Sequence, residues 1–124
     1  MKGILIVDHG SQKREANEML HDMAELIQTM AGSDVVVRYA HMELSEPTVA
    51  AGFADCVEGG ATDITVFPYM LSPGRHSTSD IPRMVAAVAH AYPNVSFSVT
   101  PAFGLHEKLA EVVLERAGIG ADAK

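Results

Sequence analysis

The sequence predicts one α/β domain in which a four-stranded parallel sheet carries helices on both faces. Two observations indicate this class. Short apolar runs with the composition of strands alternate four times with segments of helical periodicity, which gives four βα repeats. At 124 residues the chain is also the length of one ordinary domain, and no low-complexity tract divides it. We expect the domain to cover residues 1–119 and residues 120–124 to form a frayed C-terminal tail.

The first two repeats occupy roughly the first half of the chain. An apolar run at residues 4–7 ends at Asp8, and helical spacing continues from Ala16 to Gly32. Apolar side chains three and four residues apart predict the buried face of this helix: Met19, Leu20, Met23, Leu26, Ile27 and Met30. The second repeat has a strand at 35–40 and a helix that begins near Pro47.

The third repeat contains the longest irregular stretch. Its strand at 64–67 is stopped by Pro68, and residues 69–79 are predicted to form a loop rich in Ser, Pro and Gly. Ser79, Asp80 and Pro82 have the cap and first-turn chemistry of the helix that follows.

The fourth repeat completes the pattern. A strand at 95–100 precedes a helix that Gly118 ends. The predicted inward side chains of that helix are Leu105, Leu109, Val112 and Val113.

Charge and cysteine content exclude several classes of partner. Nine Lys and Arg against sixteen Asp and Glu give a net charge of -7, which argues against nucleic acid or an anionic membrane as the main partner. The N-terminal apolar run is too short for a signal peptide or a membrane span. Cys56 is the single cysteine, so one chain forms neither an intramolecular disulfide nor a cysteine-rich metal site. We therefore expect a reducing compartment, the cytoplasm.

Histidines are concentrated in the predicted βα loops. Ligands of open parallel sheets bind at the carboxyl ends of the strands, where these loops emerge. Four of the six histidines follow strands in this way: His9, His41, His76 and His106. His21 and His90 lie within predicted helices, and we interpret both as structural or solvated.

His9 and His76 are the pair that this arrangement favours for chemistry. Gly10 lets the backbone turn sharply after His9, and Ser11 is a candidate N-cap of the first helix. If the strand order is 2-1-3-4, the first and third strands are neighbours and the two imidazoles face one cavity. Such a pair can hold a divalent metal, accept protons from a substrate, or do both in sequence.

Other catalytic motifs are absent or weak. The sequence has no GxGxxG or GxxxxGK[ST] loop, which argues against dinucleotide-dependent redox chemistry and nucleotide hydrolysis. Ser11 lacks the GxSxG context of a nucleophile elbow, so acyl transfer is disfavoured. Asp8 at a strand end is also typical of the phospho-acceptor in a receiver-like domain, but one carboxylate is a weak signal.

Three segments carry a resemblance to a known family: IVDHGS at 6–11, ELSEPT at 43–48 and PYMLSPGRH at 68–76. With these motifs in order, the sequence resembles the short form of the CbiX/SirB class II chelatases, and the match extends to PAFGLH at 101–106. Members of that family insert cobalt, ferrous iron or, in some relatives, nickel into sirohydrochlorin. The resemblance implies a flavodoxin-like, chelatase-like lobe of cobalamin or siroheme biosynthesis that has no permanently bound cofactor and takes the metal as substrate.

The resemblance also implies roles for individual residues. His9 and His76 match its motif positions, which implies that they handle the metal and accept protons. Glu43 is a further metal candidate that would assist delivery or steady a charged imidazole, and a solvated loop acid is an equal alternative. Asp8 stands where glycine is common, and its carboxylate either orients His9 and favours the charged ring or points away. The short form is expected to pair as a homodimer, with the tetrapyrrole between subunits.

The substrate of that family is a polycarboxylate, which an acidic protein must attract with local positive charge. The candidate carboxylate-binding residues stand next to the two motif histidines: Ser11, Lys13, Arg14 and Arg75. His41 and His106 are interpreted as peripheral imidazoles, candidate ligands along the access path.

Two other functions stay open at this point. The same histidines would serve a carrier that stores a metal or a finished tetrapyrrole without turnover. A flavodoxin-like regulatory domain would show no change in thermal stability with a tetrapyrrole.

Overall fold

The computed structural model describes residues 1–120 and has the predicted alternation of strands and helices. The strands are β1 (Lys2–Asp8), β2 (Val35–His41), β3 (Asp63–Pro68) and β4 (Ser96–Val99). The helices are α1 (Arg14–Ala31), α2 (Val49–Glu58), α3 (Ile81–Ala89) and α4 (Glu107–Arg116). None of the helices in this part of the chain combines the length and apolar character needed to cross a bilayer. The rest of the predicted tail, 121–124, lies outside the described residues.

The four strands form one parallel sheet in the order β2-β1-β3-β4, which confirms the predicted fold class and strand order. Asp8 lies beside His41 in the register of β1 and β2, and Val7 lies beside Pro68 in that of β1 and β3. The three strands therefore end level with one another. The loops that follow them meet at a single edge of the sheet.

Side chains alternate between two cores, one on each face of the sheet. α2 and α3 cover the larger core, whose fully buried members include Leu5, Val7, Phe53, Ile64 and Val85. α1 covers the smaller core, which consists of Ile6, Leu20, Ala24 and Val37 with partly buried neighbours. Both faces are thus covered by helices, as a parallel sheet requires.

The outer side of α1 departs from the prediction. Met19 and Met30 are 72% and 79% exposed, and Leu26 is also exposed. The buried contacts of the helix are made by Leu20 and by the small Ala24. Because α1 packs on β1 and β2, it buries only the narrow stripe that faces these strands.

α4 departs from the prediction more strongly, since none of its residues is buried. Three side chains that were expected to face inward are exposed: Leu105, Val112 and Val113. The edge strand β4 is only four residues long, and on one face it presents Ser96 and Ser98. It therefore offers α4 little apolar surface, and the helix packs loosely on the rest of the lobe.

The chain becomes helical earlier than predicted in the third repeat. A π-helical turn at His76–Asp80, called the π turn below, leads directly into α3. The hydroxyls of Ser77 and Thr78 donate to the Gly74 carbonyl oxygen at 3.2 and 2.7 Å, which closes this turn. The predicted capping role of Asp80 is wrong, because its side chain caps no backbone N–H. The loop is thus shorter than expected, and His76 stands on helical backbone.

Candidate active site

His9 stands on a loop that backbone contacts hold against the end of β2. The Met42 N–H donates to the Asp8 carbonyl oxygen at 2.9 Å, and the Glu43 N–H donates to the His9 carbonyl oxygen at 3.2 Å. Gly10 has a φ of +96°, and a Cβ at this position would overlap the Glu43 carbonyl oxygen. Only glycine fits there without displacing backbone, so Gly10 and Glu43 together fix the position of His9.

The π turn brings His76 to the same place from β3. The ring centroids of His9 and His76 are 4.5 Å apart, with 63° between the ring planes. Asp80 Oδ2 lies 3.0 Å from His76 Nδ1, and Arg83 Nη2 donates to Asp80 Oδ1 at 2.7 Å. The structure therefore brings the two predicted histidines into direct contact, and their chemical roles stay a prediction.

Asp80 is a site residue that sequence reasoning missed. The sequence pattern predicts a helix cap at Asp80, whereas its carboxylate contacts His76. The available signal was the spacing of four residues, which places both side chains on one helix face once the helix begins before His76. That earlier start was not visible in the apolar pattern.

Glu43 reaches this site through its backbone. Its side chain is exposed, and its carboxylate does not form a compact trio of ligand atoms with the two rings. Within residues 1–120, the three ligand groups that gather within 4.8 Å of one another belong to His21, Asp22 and Glu25, exposed or partly exposed residues of α1. The edge of the sheet thus offers a pair of imidazoles with open coordination positions.

Ser11 does not cap α1 as predicted. Its hydroxyl accepts from the Lys13 N–H at 3.0 Å, and Lys13 itself occupies the N-cap position without a side-chain cap. The Asn17 side chain bonds both the N–H and the carbonyl oxygen of Ser11, at 3.0 and 2.8 Å. Asn17 therefore stabilises the start of α1. Ser11 itself is half-exposed in the loop.

Three basic side chains lie close to the two motif histidines along the chain. Lys13, Arg14 and Arg75 are all exposed and lie next to the loop of His9 or to His76 in the chain. Arg14 Nε donates to Glu18 at 2.7 Å, so part of its charge is balanced on α1. Long exposed cations of this kind are free to reorient toward an anionic ligand.

Asp8 and His41 form a second carboxylate–imidazole pair beneath the loop. Asp8 Oδ1 lies 2.6 Å from His41 Nδ1, so the Asp8 carboxylate bonds His41. His41 is only 1% exposed, and its Nε2 has no hydrogen-bond partner within residues 1–120. The expectation that His41 lies along an access path is therefore wrong, because the ring is inside the protein.

An aromatic groove lies on the other side of the edge. Phe67, Tyr69 and Phe103 pack edge to face, with Phe103 4.9 and 5.0 Å from the other two rings. Burial raises the pKa of Tyr69, and the Asp8 carboxylate adds to that shift. His106 borders a groove of about 340 Å³ here, and its Nδ1 accepts from the Lys108 N–H at 3.1 Å as the cap of α4.

The histidine pair itself lies on open surface. His9 is exposed, and the His76 side chain is 51% exposed. The two rings therefore face each other as predicted, on a surface that this lobe leaves open. A large ligand at the pair would be covered from one side only.

Fold and site together define a single α/β lobe with an open histidine pair at the carboxyl edge of its sheet. The CbiX family model matches residues 3–118. The chain belongs to the CbiX family.

Curated relatives of the chain are consistent with this family membership. The chain is 41% identical over 114 residues to the chloroplastic sirohydrochlorin ferrochelatase of Arabidopsis thaliana, covering 92% of this chain and 50% of the relative. It is 34% identical over 119 residues to the sirohydrochlorin cobaltochelatase of Priestia megaterium, covering 94% and 37%. The chain therefore spans half or less of the length of these curated relatives.

A solved structure shares the fold. The sirohydrochlorin chelatase SirB from Bacillus subtilis subspecies spizizenii, determined in complex with cobalt, superposes with a TM-score of 0.85 at 33% identity. The alignment covers 94% of this chain and 49% of that one. This lobe thus corresponds to about half of that chelatase.

Proposed function

We propose that this chain is a class II chelatase, a lyase in the direction of metal release, that inserts a divalent metal ion into sirohydrochlorin. The observation that carries the proposal is the direct contact of His9 and His76 at the ligand-binding edge. The relatives named above are sirohydrochlorin chelatases for iron or cobalt, which supports the same substrate class here.

Metal insertion exchanges two pyrrole protons for one metal ion: free macrocycle plus M²⁺ gives the metallated macrocycle plus two H⁺. Neutral imidazoles suit both halves of this exchange, because a ring nitrogen either coordinates a borderline divalent metal or accepts a proton. In the proposed reaction His9 and His76 hold the metal first and take up the pyrrole protons as it is transferred. Both rings are exposed, so the protons pass on to solvent.

The metal substrate is Co²⁺, Fe²⁺ or Ni²⁺ in this proposal. Imidazole pairs bind all three, and their affinities follow the general order of divalent metals, so supply decides the physiological choice. Glu43 is proposed as an auxiliary carboxylate that delivers the metal, since its backbone is bonded to that of His9.

We propose that the carboxylates of the tetrapyrrole bind basic side chains at the carboxyl edge of the sheet. Lys13 and Arg14 follow His9 closely in the chain, Arg75 directly precedes His76, and all three are exposed. The Ser11 hydroxyl lies in the loop that carries His9. These cations offset locally the net charge of -7. Guanidinium groups are well shaped for carboxylates, which favours Arg75 beside His76 as the main contact.

We propose that a second copy of the chain completes the cleft. The histidine pair is open to solvent, and among residues 1–120 no residue of α4 is buried, while its Val112, Val113 and Leu114 are exposed. Apolar surface of this kind favours association. A homodimer would cover the macrocycle from its second side.

The oligomeric state tests this part of the proposal. Sedimentation at micromolar concentration is expected to give twice the chain mass of 13.2 kDa. Val113→Glu on α4 should shift the protein to monomer, whereas Ala87→Glu on the exposed side of α3 should leave it dimeric. A monomeric parent protein would contradict the homodimer.

Anaerobic insertion into sirohydrochlorin tests the activity. Cobalt, ferrous iron and nickel are compared by the absorbance change of the macrocycle, at metal and ring concentrations in large excess over protein. His9→Ala and His76→Ala should abolish insertion and keep the circular dichroism of the parent, while His90→Ala at the end of α3 should insert normally. A parental rate in both site variants would refute the mechanism, and at most one equivalent of product per site would identify a carrier.

We also propose a reducing compartment, the cytoplasm, as the location. The support is Cys56, a free and buried thiol. If cells are fractionated and the cytosolic fraction shows no insertion activity, this location is contradicted.

A further inference from the structure

We propose that Asp80 is the positioning residue of the histidine pair: it holds the His76 ring so that Nε2 is the nitrogen presented to the metal and to the pyrrole proton. The inference rests on the proposed function and assigns a residue that acts through His76. It is drawn from one contact, the 3.0 Å separation of Asp80 Oδ2 and His76 Nδ1.

The ionised carboxylate determines the tautomer of the ring. An ionised carboxylate only accepts hydrogen bonds, so the Nδ1 that faces it carries the proton. The lone pair of the neutral ring is then on Nε2, at the opposite corner. A histidine that donates Nδ1–H to a carboxylate is the usual arrangement behind a metal-binding Nε2, because the partner fixes both tautomer and orientation.

Asp80 is itself held in place. Its second oxygen accepts from Arg83 Nη2 at 2.7 Å, and its side chain is only 18% exposed. The π turn that joins it to His76 is anchored by two hydroxyl contacts at the Gly74 carbonyl. The Asp80 carboxylate is therefore held in one position, from which it can orient the half-exposed ring of His76.

Helix capping does not account for the position of Asp80. Asp80 caps no backbone N–H of α3, although it directly precedes that helix. Asp8, another carboxylate at this edge, bonds His41. Asp80 is thus the carboxylate that bonds a ring of the pair within residues 1–120.

The test compares Asp80→Asn with the parent in the full chain, without tetrapyrrole. The asparagine keeps the size of the side chain but no longer specifies which ring nitrogen carries the proton. Long-range ¹H–¹⁵N spectra of ¹⁵N-histidine protein, at about pH 8 where imidazole is neutral, report the tautomer of each ring. The parent His76 is expected as the Nδ1–H form, and the variant as a mixture of both forms. Co²⁺ affinity, measured by calorimetry, is expected to fall about 10–100-fold in the variant.

Asp22→Asn is the matched control. It removes a similar contact, 3.1 Å from Asp22 to His21 Nδ1, on α1 outside the site, and should leave the His76 tautomer unchanged. An Nε2–H tautomer of His76 in the parent protein would overturn the proposal even if Asp80→Asn did not fold. An unchanged tautomer and affinity in a folded variant would overturn it as well.

The two proposals fail in different ways. If the parent inserts no metal but Asp80→Asn alters tautomer and Co²⁺ affinity, the chelatase activity is refuted and the positioning role stands. If the parent inserts metal and Asp80→Asn changes neither the His76 tautomer nor the Co²⁺ affinity, the positioning role is refuted and the chelatase activity stands.

Discussion

Gly10→Ala directly tests the backbone contacts that hold His9 in place. Gly10 has a φ of +96°, which alanine adopts at a cost of about 1–2 kcal/mol. The added Cβ also overlaps the Glu43 carbonyl oxygen, and the backbone shift that relieves this overlap costs about 1–3 kcal/mol more. The expected loss is about 2–5 kcal/mol, a large share of the total stability of an ordinary domain.

Gly60→Ala separates the two contributions. Gly60 has a similar φ of +106°, but the nearest atom to its Cβ is Met1 Sδ at an ordinary 3.6 Å. This control should lose only the backbone part, about 1–2 kcal/mol. The free energy of unfolding of both variants is measured by urea unfolding, followed by circular dichroism. In thermal unfolding, each kcal/mol of lost stability should lower Tm by about 4 °C.

The same pair of variants reports on the site. The overlap in Gly10→Ala displaces the Glu43 backbone and breaks its hydrogen bond to His9, so Co²⁺ affinity of the folded variant should fall. Gly60→Ala should bind Co²⁺ as the parent does. Equal losses of stability in the two variants, with equal Co²⁺ affinity, would refute the reasoning that Glu43 confines Gly10.

Four further outcomes are expected. Burial raises the pKa of Cys56 from 9.0 to about 12, so iodoacetamide at about pH 8 should modify it only in urea. Because the unfolded thiol ionises first, the free energy of unfolding should decrease as pH rises from 9.0 toward 12, a slope that Cys56→Ala should lack. Asp8→Ala leaves both nitrogens of buried His41 without a partner and should cost about 1–3 kcal/mol in urea unfolding; no loss would show that water replaces the carboxylate. Arg75→Ala should raise the KM for sirohydrochlorin several-fold and leave that for the metal unchanged, and an equal rise in both would contradict a carboxylate contact.

The sheet and the location of the site could be predicted because they depend on short-range patterns. Four alternations of strand and helix leave few arrangements, since crossovers between parallel strands are nearly always right-handed. The order with β1 beside β3 then places His9 and His76 on adjacent loops. Contact between their rings at 4.5 Å agrees with that placement.

The missed features depend on what each side chain finds in space. Periodicity marks Met19 and Met30 as members of an apolar face, but α1 meets only the two strands beneath it, and both residues stay exposed. Likewise, Asp8 was considered as a partner of its neighbour His9. The register of β1 and β2 instead sets it beside His41, a contact that spans 33 residues of sequence.

Burial and hydrogen bonding distinguish the four histidines at this edge. Asp8 bonds His41, which lies inside the protein, while His106 uses its Nδ1 to cap α4. Asp80, by contrast, bonds His76 from behind and leaves the ring half-exposed beside His9. The two rings that contact each other, His9 and His76, match in number the two pyrrole protons that the proposed reaction releases for each metal ion. In that scheme both rings hold the metal and each accepts one proton, so loss of either histidine removes a metal ligand and a proton acceptor and should abolish insertion, not merely slow it by half.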